Sequence, residues 1–282
     1  MRTLIASCLL FSIGLAVADQ VQAQEVQFGK TKSTLGEVTE QAVEFTLDMA
    51  AVVREGSTVV DQSQVKIRRK QRRKLEAMQL DSRGVVSAAR VTFAESRRAI
   101  GDAPPEQQLI EGKTYDCFRE GEVLRVVCAD GTLPSAEEFR LVSESLDSLG
   151  RPNPLADYFA GRRVRVGEKL ALPPTVGAGL MARDAVGEVT RFEVTLLGVS
   201  DMAGTQVAQF ETLIETHENS GRQLGLVVTG KLVLEVDSCR TRSMQLGGPI
   251  AMAESAVGVG VPQQMHGTGK LSVAIEAAYT RR

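Results

Sequence analysis

The chain has 282 residues, a formal net charge of −2 and 43% hydrophobic residues. Near-neutrality excludes a whole-protein attraction to nucleic acid or to an anionic membrane surface, and the apolar fraction excludes an intrinsically disordered chain. Trp is absent, which weakens any carbohydrate-binding reading built on aromatic platforms and removes part of the aromatic girdle of an outer-membrane barrel.

Arg2 precedes an apolar run from Leu4 to Val17, followed by two small-residue cleavage patterns, Ala16-Val17-Ala18 and Val21-Gln22-Ala23. This is the layout of a secretory signal peptide over residues 1–23, cleaved near Ala23. The run is too short to span a bilayer comfortably, and no second run of spanning length follows. The expected product is therefore exported, periplasmic or extracellular, and not membrane-spanning. Ile5-Ala6-Ser7-Cys8 has the form of a lipidation box, but the apolar run continues well past Cys8, so lipid attachment there is not expected. The roughly 260 residues that remain are enough for one substantial core.

Beyond the leader the pattern is strand-rich. Glu44–Val53, Gln64–Leu75, Val85–Glu95, Thr114–Phe118 and Val123–Cys128 read as extended runs separated by Gly-bearing turns. Ser135 and Glu138 then form a capping box, with Phe139, Val142, Leu146 and Leu149 on one face and Gly150 as the stop, which predicts a helix over 136–149. After Arg151-Pro152-Asn153-Pro154 and a short turn at Leu155–Phe159, strands resume at Arg163–Gly167. They continue over Thr190–Leu197, Gln206–Glu215, Leu224–Thr229, Lys231–Val236, Ser243–Leu246 and Leu271–Tyr279. The fold class expected is mainly β, a β-rich α+β arrangement: a curved antiparallel sheet or incomplete barrel with one central amphipathic helix. Residues 24–282 form one domain with two lobes, 24–132 and 160–282, bridged by helix 136–149.

Charge is unevenly placed. Residues 66–98 carry eleven basic and three acidic side chains, whereas residues 101–150 carry four basic and eleven acidic ones. Read as a strand, Lys66, Arg68, Lys70, Arg72 and Lys74 project to one face about 6.6 Å apart. Such a row is either a solvated edge strand protected from aggregation or a face that meets an anionic partner. A helix over Gln71–Leu80 is the remaining alternative, and would disperse the row.

Three cysteines follow the leader: Cys117, Cys128 and Cys239. In an oxidising compartment one bridge and one free thiol are expected, with Cys117–Cys128 the favoured pair. A two-residue turn at Gly121-Glu122 sets Cys117 opposite Val126, so this bridge requires a bulge to bring Cys128 closer.

Catalytic equipment is missing. No G-x-S-x-G, H-E-x-x-H or EF-hand loop occurs. Gly267-Thr268-Gly269-Lys270 lacks the first Gly and the final Ser or Thr of a phosphate-binding loop, and Gly177–Ala182 follows Pro173-Pro174 instead of a strand. His217 and His266 stand apart with no partner motif, and Glu137-Glu138 fits a first helical turn. No enzyme activity, cofactor or metal site is expected.

Around Gly112–Tyr115, Asp130-Gly131, Arg163–Glu168 and the hairpin Gly230–Leu246, with a V-x-V-G-E segment running into Pro173, the chain resembles uncharacterised exported β-rich bacterial envelope proteins. The resemblance implies export and a β-rich domain and transfers no active-site residue. In architecture alone, a curved sheet with an inner helix is similar to periplasmic lipoprotein carriers. Two functions fit these patterns: non-enzymatic binding of a lipid or other apolar or amphipathic ligand, or an interaction module that sets the cationic strand against an acidic envelope partner.

Overall fold

The computed structural model describes residues 24–180, 187–217, 224–256 and 263–281. Residues 1–23, where a leader is expected, lie outside the described residues. The chain runs Glu25–Gln27 (β1), Val38–Glu55 (β2), Thr58–Leu80 (β3), Val86–Ile100 (β4), Glu106–Gln107 (β5), Thr114–Glu120 (β6) and Val123–Cys128 (β7). Ala136–Ser145 (α1), Pro154–Phe159 (α2), Arg163–Arg165 (β8), Lys169–Ala171 (β9) and Pro174–Leu180 (α3) follow. Glu188–Met202 (β10), Thr205–His217 (β11), Leu224–Glu235 (β12), Thr241–Ala256 (β13) and Gln263–Thr280 (β14) complete it.

Twelve strands form one open antiparallel sheet in the order β7-β6-β4-β3-β2-β14-β13-β12-β11-β10-β9, with β5 added beside β4. β1 and β8 pair separately. The expectation of a β-rich fold with an unclosed antiparallel sheet is met. Strands are longer than the local patterns suggest: β3 has 23 residues, a span of roughly 75 Å at the usual strand rise. It remains a strand through Leu80, which removes the helical alternative for Gln71–Leu80. The two runs expected around Gly230 are one strand, β12, because that glycine sits where the neighbouring backbone crowds it. A Cβ there would lie 1.8 Å from the Gln245 carbonyl oxygen of β13, a close approach that favours Gly within a strand.

Alternation explains the sheet. In β2, Val43, Phe45, Leu47 and Met49 alternate with the exposed Glu44, Thr46, Asp48 and Ala50. Cross-strand partners carry this parity outward: Phe45 faces Val273 of β14 and Arg69 of β3, and Leu47 faces Leu271 and Ile67. One face is thus largely apolar and the other wet.

Two cores lie on the apolar face. Near the β7 edge, Leu141, Val142, Leu146 and Leu149 of α1 and the turn after it pack on Ala89, Val91, Phe93, Tyr115, Cys117, Leu124 and Val126. Towards the β9 edge, Val26, Phe28, Leu155, Phe159, Val164, Leu172 and Val176 pack on side chains of β10 to β13. Phe159 of α2 holds this second core, its ring centroid 5.0 Å from Phe28 and 5.1 Å from Phe210.

Local corrections have plain causes. The helix ends at Ser145, four residues short of the expected 149, and residues 146–150 continue as turn. Leu141 is buried in place of Phe139, which is 42% exposed. The stretch read as a turn at Leu155–Phe159 belongs to helix α2, because Asn153 caps the backbone N–H groups of Leu155 and Ala156 and Pro154 opens the first turn. α1 packs on the β4–β6–β7 core with its C-terminal end reaching β3, and the two halves of the chain are joined by the β2–β14 pairing.

Cys117 faces Val126 and Cys128 faces Tyr115 in an unbroken β6–β7 register. With no bulge to draw them together, both are free thiols, as is Cys239. Burial pushes the Cys117 thiol up to about 12 and that of Cys239 up to about 11, so both are protonated at neutral pH and poor nucleophiles.

Truncating Phe159 to Ala is expected to cost about 3–5 kcal/mol by opening a cavity among three rings. Urea unfolding of the variant checks this, and a loss below about 1 kcal/mol contradicts the role given to that cluster.

Candidate functional site

Between the two cores the apolar face is uncovered. Val43 and Phe45 of β2, Ile67 of β3, and Val273 and Ile275 of β14 are all only half-buried and belong to neither core. Leu47, Leu271 and Met244 border them from the larger core, and Ile100 at the end of β4 is 60% exposed. From β4 to β14 the strip crosses three strand gaps, roughly 14 Å, and covers three alternate residues on β2 and on β14 but one on β3 and one on β4.

The strip ends on one side at a row of polar residues from β3. Arg69, Gln71 and Arg73 have the same parity as Ile67 and Leu75, so they point to the apolar face. They meet the C-terminal end of α1. Gln71 Nε2 donates to Ser145 Oγ at 3.1 Å and to Ser96 Oγ at 3.4 Å, and Arg69 Nη2 donates to Ser145 Oγ at 3.1 Å. Arg73 donates to the Ser145 carbonyl and to Gln41 Oε1. Arg119 of β6 donates to the carbonyls of Leu146, Asp147 and Leu149. α1 has no basic residue in its last turn, and these sheet arginines satisfy the carbonyls and complement the negative end of its dipole. Burial, and secondarily Arg69, lowers the Arg73 guanidinium to about 10. It remains charged at neutral pH.

The N-terminal end of α1 is fixed by Glu138. Its carboxylate accepts from Lys113 Nζ at 2.6 Å, Tyr115 Oη at 3.0 Å and Ser135 Oγ at 2.7 Å, and it closes the capping box on the Ser135 backbone N–H.

The sequence-singled cations, Lys66, Arg68, Lys70, Arg72 and Lys74, lie together on the opposite, wet face of β3. β3 is an interior strand, hydrogen-bonded to β2 and β4, so edge protection is not their role. In register, Glu40, Glu44 and Asp48 of β2 stand opposite Lys74, Lys70 and Lys66. Lys66 Nζ pairs with Asp102 at 3.0 Å, Lys70 with Glu44 at 3.7 Å, and Arg72 with Glu95 at 3.7 Å. Arg68 donates to the Ala103 carbonyl at 3.0 Å. Acids from β2, β4 and the turn after β4 therefore offset much of this row.

Other singled-out motifs fall elsewhere. Gly267–Lys270 lies inside β14 and is extended, and Gly177–Gly179 lies in α3. His217 ends β11 and His266 sits exposed in β14. No group of three or more metal-ligating side chains occurs among the described residues. A depression of about 500 Å³ is lined by Glu25, Arg163, Arg165, Val166 and Glu168; it is polar and charge-balanced.

Sequence reasoning missed Arg69 and Arg73 because it followed the i, i+2 series that starts at Lys66. The other parity, Ile67, Arg69, Gln71, Arg73 and Leu75, was legible as a polar interruption between apolar ends. No family model and no curated protein matches the chain. A solved lipovitellin structure, described by its lipid–protein interactions, is similar at a TM-score of 0.39 and 6% identity, over 88% of this chain and 26% of that one. The chain thus spans about a quarter of that protein's length.

Glu138 also sets a pH dependence. Hydrogen bonding, first from Lys113 and then from Ser135, lowers its carboxyl from 4.5 to about 2. A depressed folded-state value stabilises the fold above the unfolded-state value, and that contribution is lost as pH falls from about 4.5 towards about 2. The expected outcome is an acid limb in Tm over this window that Glu138→Gln flattens. An unchanged limb in scanning calorimetry contradicts the assignment.

Proposed function

We propose that the protein is an exported, non-enzymatic binding protein of the bacterial envelope that takes an apolar or amphipathic ligand on the strip between its two cores. The observation that carries this reading is the strip itself. Val43, Phe45, Ile67, Val273 and Ile275 keep apolar surface in water although adjoining parts of the same face are covered by helices. Contiguous apolar surface bounded by polar groups marks an interaction site, because burying it in a ligand contributes about 25 cal/mol per Å². The Arg2-to-Ala23 leader pattern supports export. The matched charges on the wet face of β3 give less support to an acidic-partner module than the bare sequence does.

Nile red emission titrated with purified full chain tests the reading. The wild type is expected to bind the dye, and Phe45→Glu or Val273→Glu to weaken binding at least tenfold, equivalent to about 1.4 kcal/mol. Both sites are half-exposed, so the variants should unfold cooperatively. A folded wild type that leaves the dye unbound sinks the proposal, as does undiminished binding by both variants.

A further inference from the structure

The strip has a charged end whose arginines make no direct ion pair with an acid. Arg69 of β3 and Arg98 of β4 are direct cross-strand partners and therefore share the apolar face. Like charges directly opposite each other destabilise a sheet. Among the described residues neither makes an ion pair with a carboxylate: Arg69 donates to Ser145 Oγ, and Arg98 is exposed. Arg73, two places further along the same parity, is held by the neutral oxygens of Gln41 and Ser145.

The nearby acids are already engaged. Arg140 of α1 donates to both Glu137 and Glu144; Glu144 also acts favourably on Arg69 and Arg98 on Glu137, whereas Arg98 and Arg140 act against Arg69. Arg69, Arg73, Arg98 and Arg140 against Glu137 and Glu144 leave an excess of positive charge where α1 ends.

On its other side, Arg69 stands opposite Phe45, which stands opposite Val273, which stands opposite Leu246. A single row thus passes from two guanidiniums to three apolar side chains across four strand gaps, roughly 19 Å. Guanidinium groups bind carboxylates through paired, charge-assisted hydrogen bonds.

Building on the ligand-binding reading above, we propose that the ligand is a single-chain anionic amphiphile, a fatty acid. Its carboxylate sits between Arg69 and Arg98, and its chain lies along Phe45 and Val273. Arg69 and Arg98 share a single cross-strand position, which suits one carboxylate and so one acyl chain. The acid neutralises the like-charge pair, and an uncharged ester of the same chain cannot. Binding is non-covalent and leaves Arg73 with α1.

Competition for Nile red by dodecanoate and by methyl dodecanoate, at pH 7.5 and low salt, separates the two levels of the argument. The wild type is expected to bind the acid at least tenfold more tightly than the ester. Arg98→Gln, which removes an exposed residue with no ion pair, and Arg69→Gln are each expected to reduce that preference at least threefold without weakening the ester. Lys70→Gln with Arg72→Gln, on the opposite face, controls for net charge and should leave the preference intact. Equal affinity of the wild type for acid and ester, or an equal loss in the opposite-face variant, overturns the headgroup assignment while the binding reading stands. Failure of both acid and ester to displace bound dye overturns the assignment together with that reading's choice of an acyl ligand. Failure of the dye itself to bind removes the binding reading at its root.

Discussion

Side-chain parity, carried without a register shift from β2 through β14 to β13, is the constraint on which the remainder of the molecule rests. The β2–β14 seam carries it from one half of the chain to the other, in a register that runs unbroken from Val38↔Thr280 to Glu55↔Gln263. A slip of one residue there would turn Phe45 and Leu47 outward and bring Glu44 and Thr46 onto the apolar face. Because parity holds, α1 and the α2–α3 assembly cover the same face from opposite ends, and the space between them is apolar.

The two covers are secured by different physics. At the β9 end, Phe28, Phe159 and Phe210 pack the residue after β1, a helix and the sheet into one dry aromatic contact. At the β7 end the helix is short and is held at its termini. Glu138 fixes the first turn, while Arg73 and Arg119 reach from the sheet to the last carbonyls. That second arrangement places α1's end over Arg69, Gln71 and Arg73, and so sets where the cover stops and the strip begins.

Much of this was legible in the residues. The capping box at Ser135, the strands β6 and β7 and the outward projection of Lys66 through Lys74 follow from local rules, and all are found. Three features were not legible, each because its cause is distant in sequence. β3's full length depends on pairing with β2 and β4, which stabilises polar stretches that would not read as strand alone. Phe139 is exposed because the sheet meets the helix on the Leu141–Val142 side, a rotation that helical spacing cannot set. The Cys117–Cys128 offset was visible from the turn, but whether a bulge corrected it depended on the whole β6–β7 register. The strip itself required knowing which strands are neighbours, since Val43, Ile67 and Val273 become adjacent only through the β3-β2-β14 order.

The two faces of β3 show why charge counted along a sequence is a poor guide to function. Lys66, Lys70 and Arg72 face water and meet carboxylates from Asp102, Glu44 and Glu95, pairs that solvent screening leaves weak. They keep one face soluble and need no ligand. Arg69 and Arg73 occupy the other face, partly withdrawn from water and with neutral oxygens as partners. Desolvating a cation without a paired anion costs more than placing an apolar side chain there. For Arg73 the carbonyl end of α1 offsets that cost. For Arg69, facing Arg98 across the ladder, Glu144 helps from a distance but no ion pair completes the offset, which makes the fewer, inward-facing arginines the informative ones.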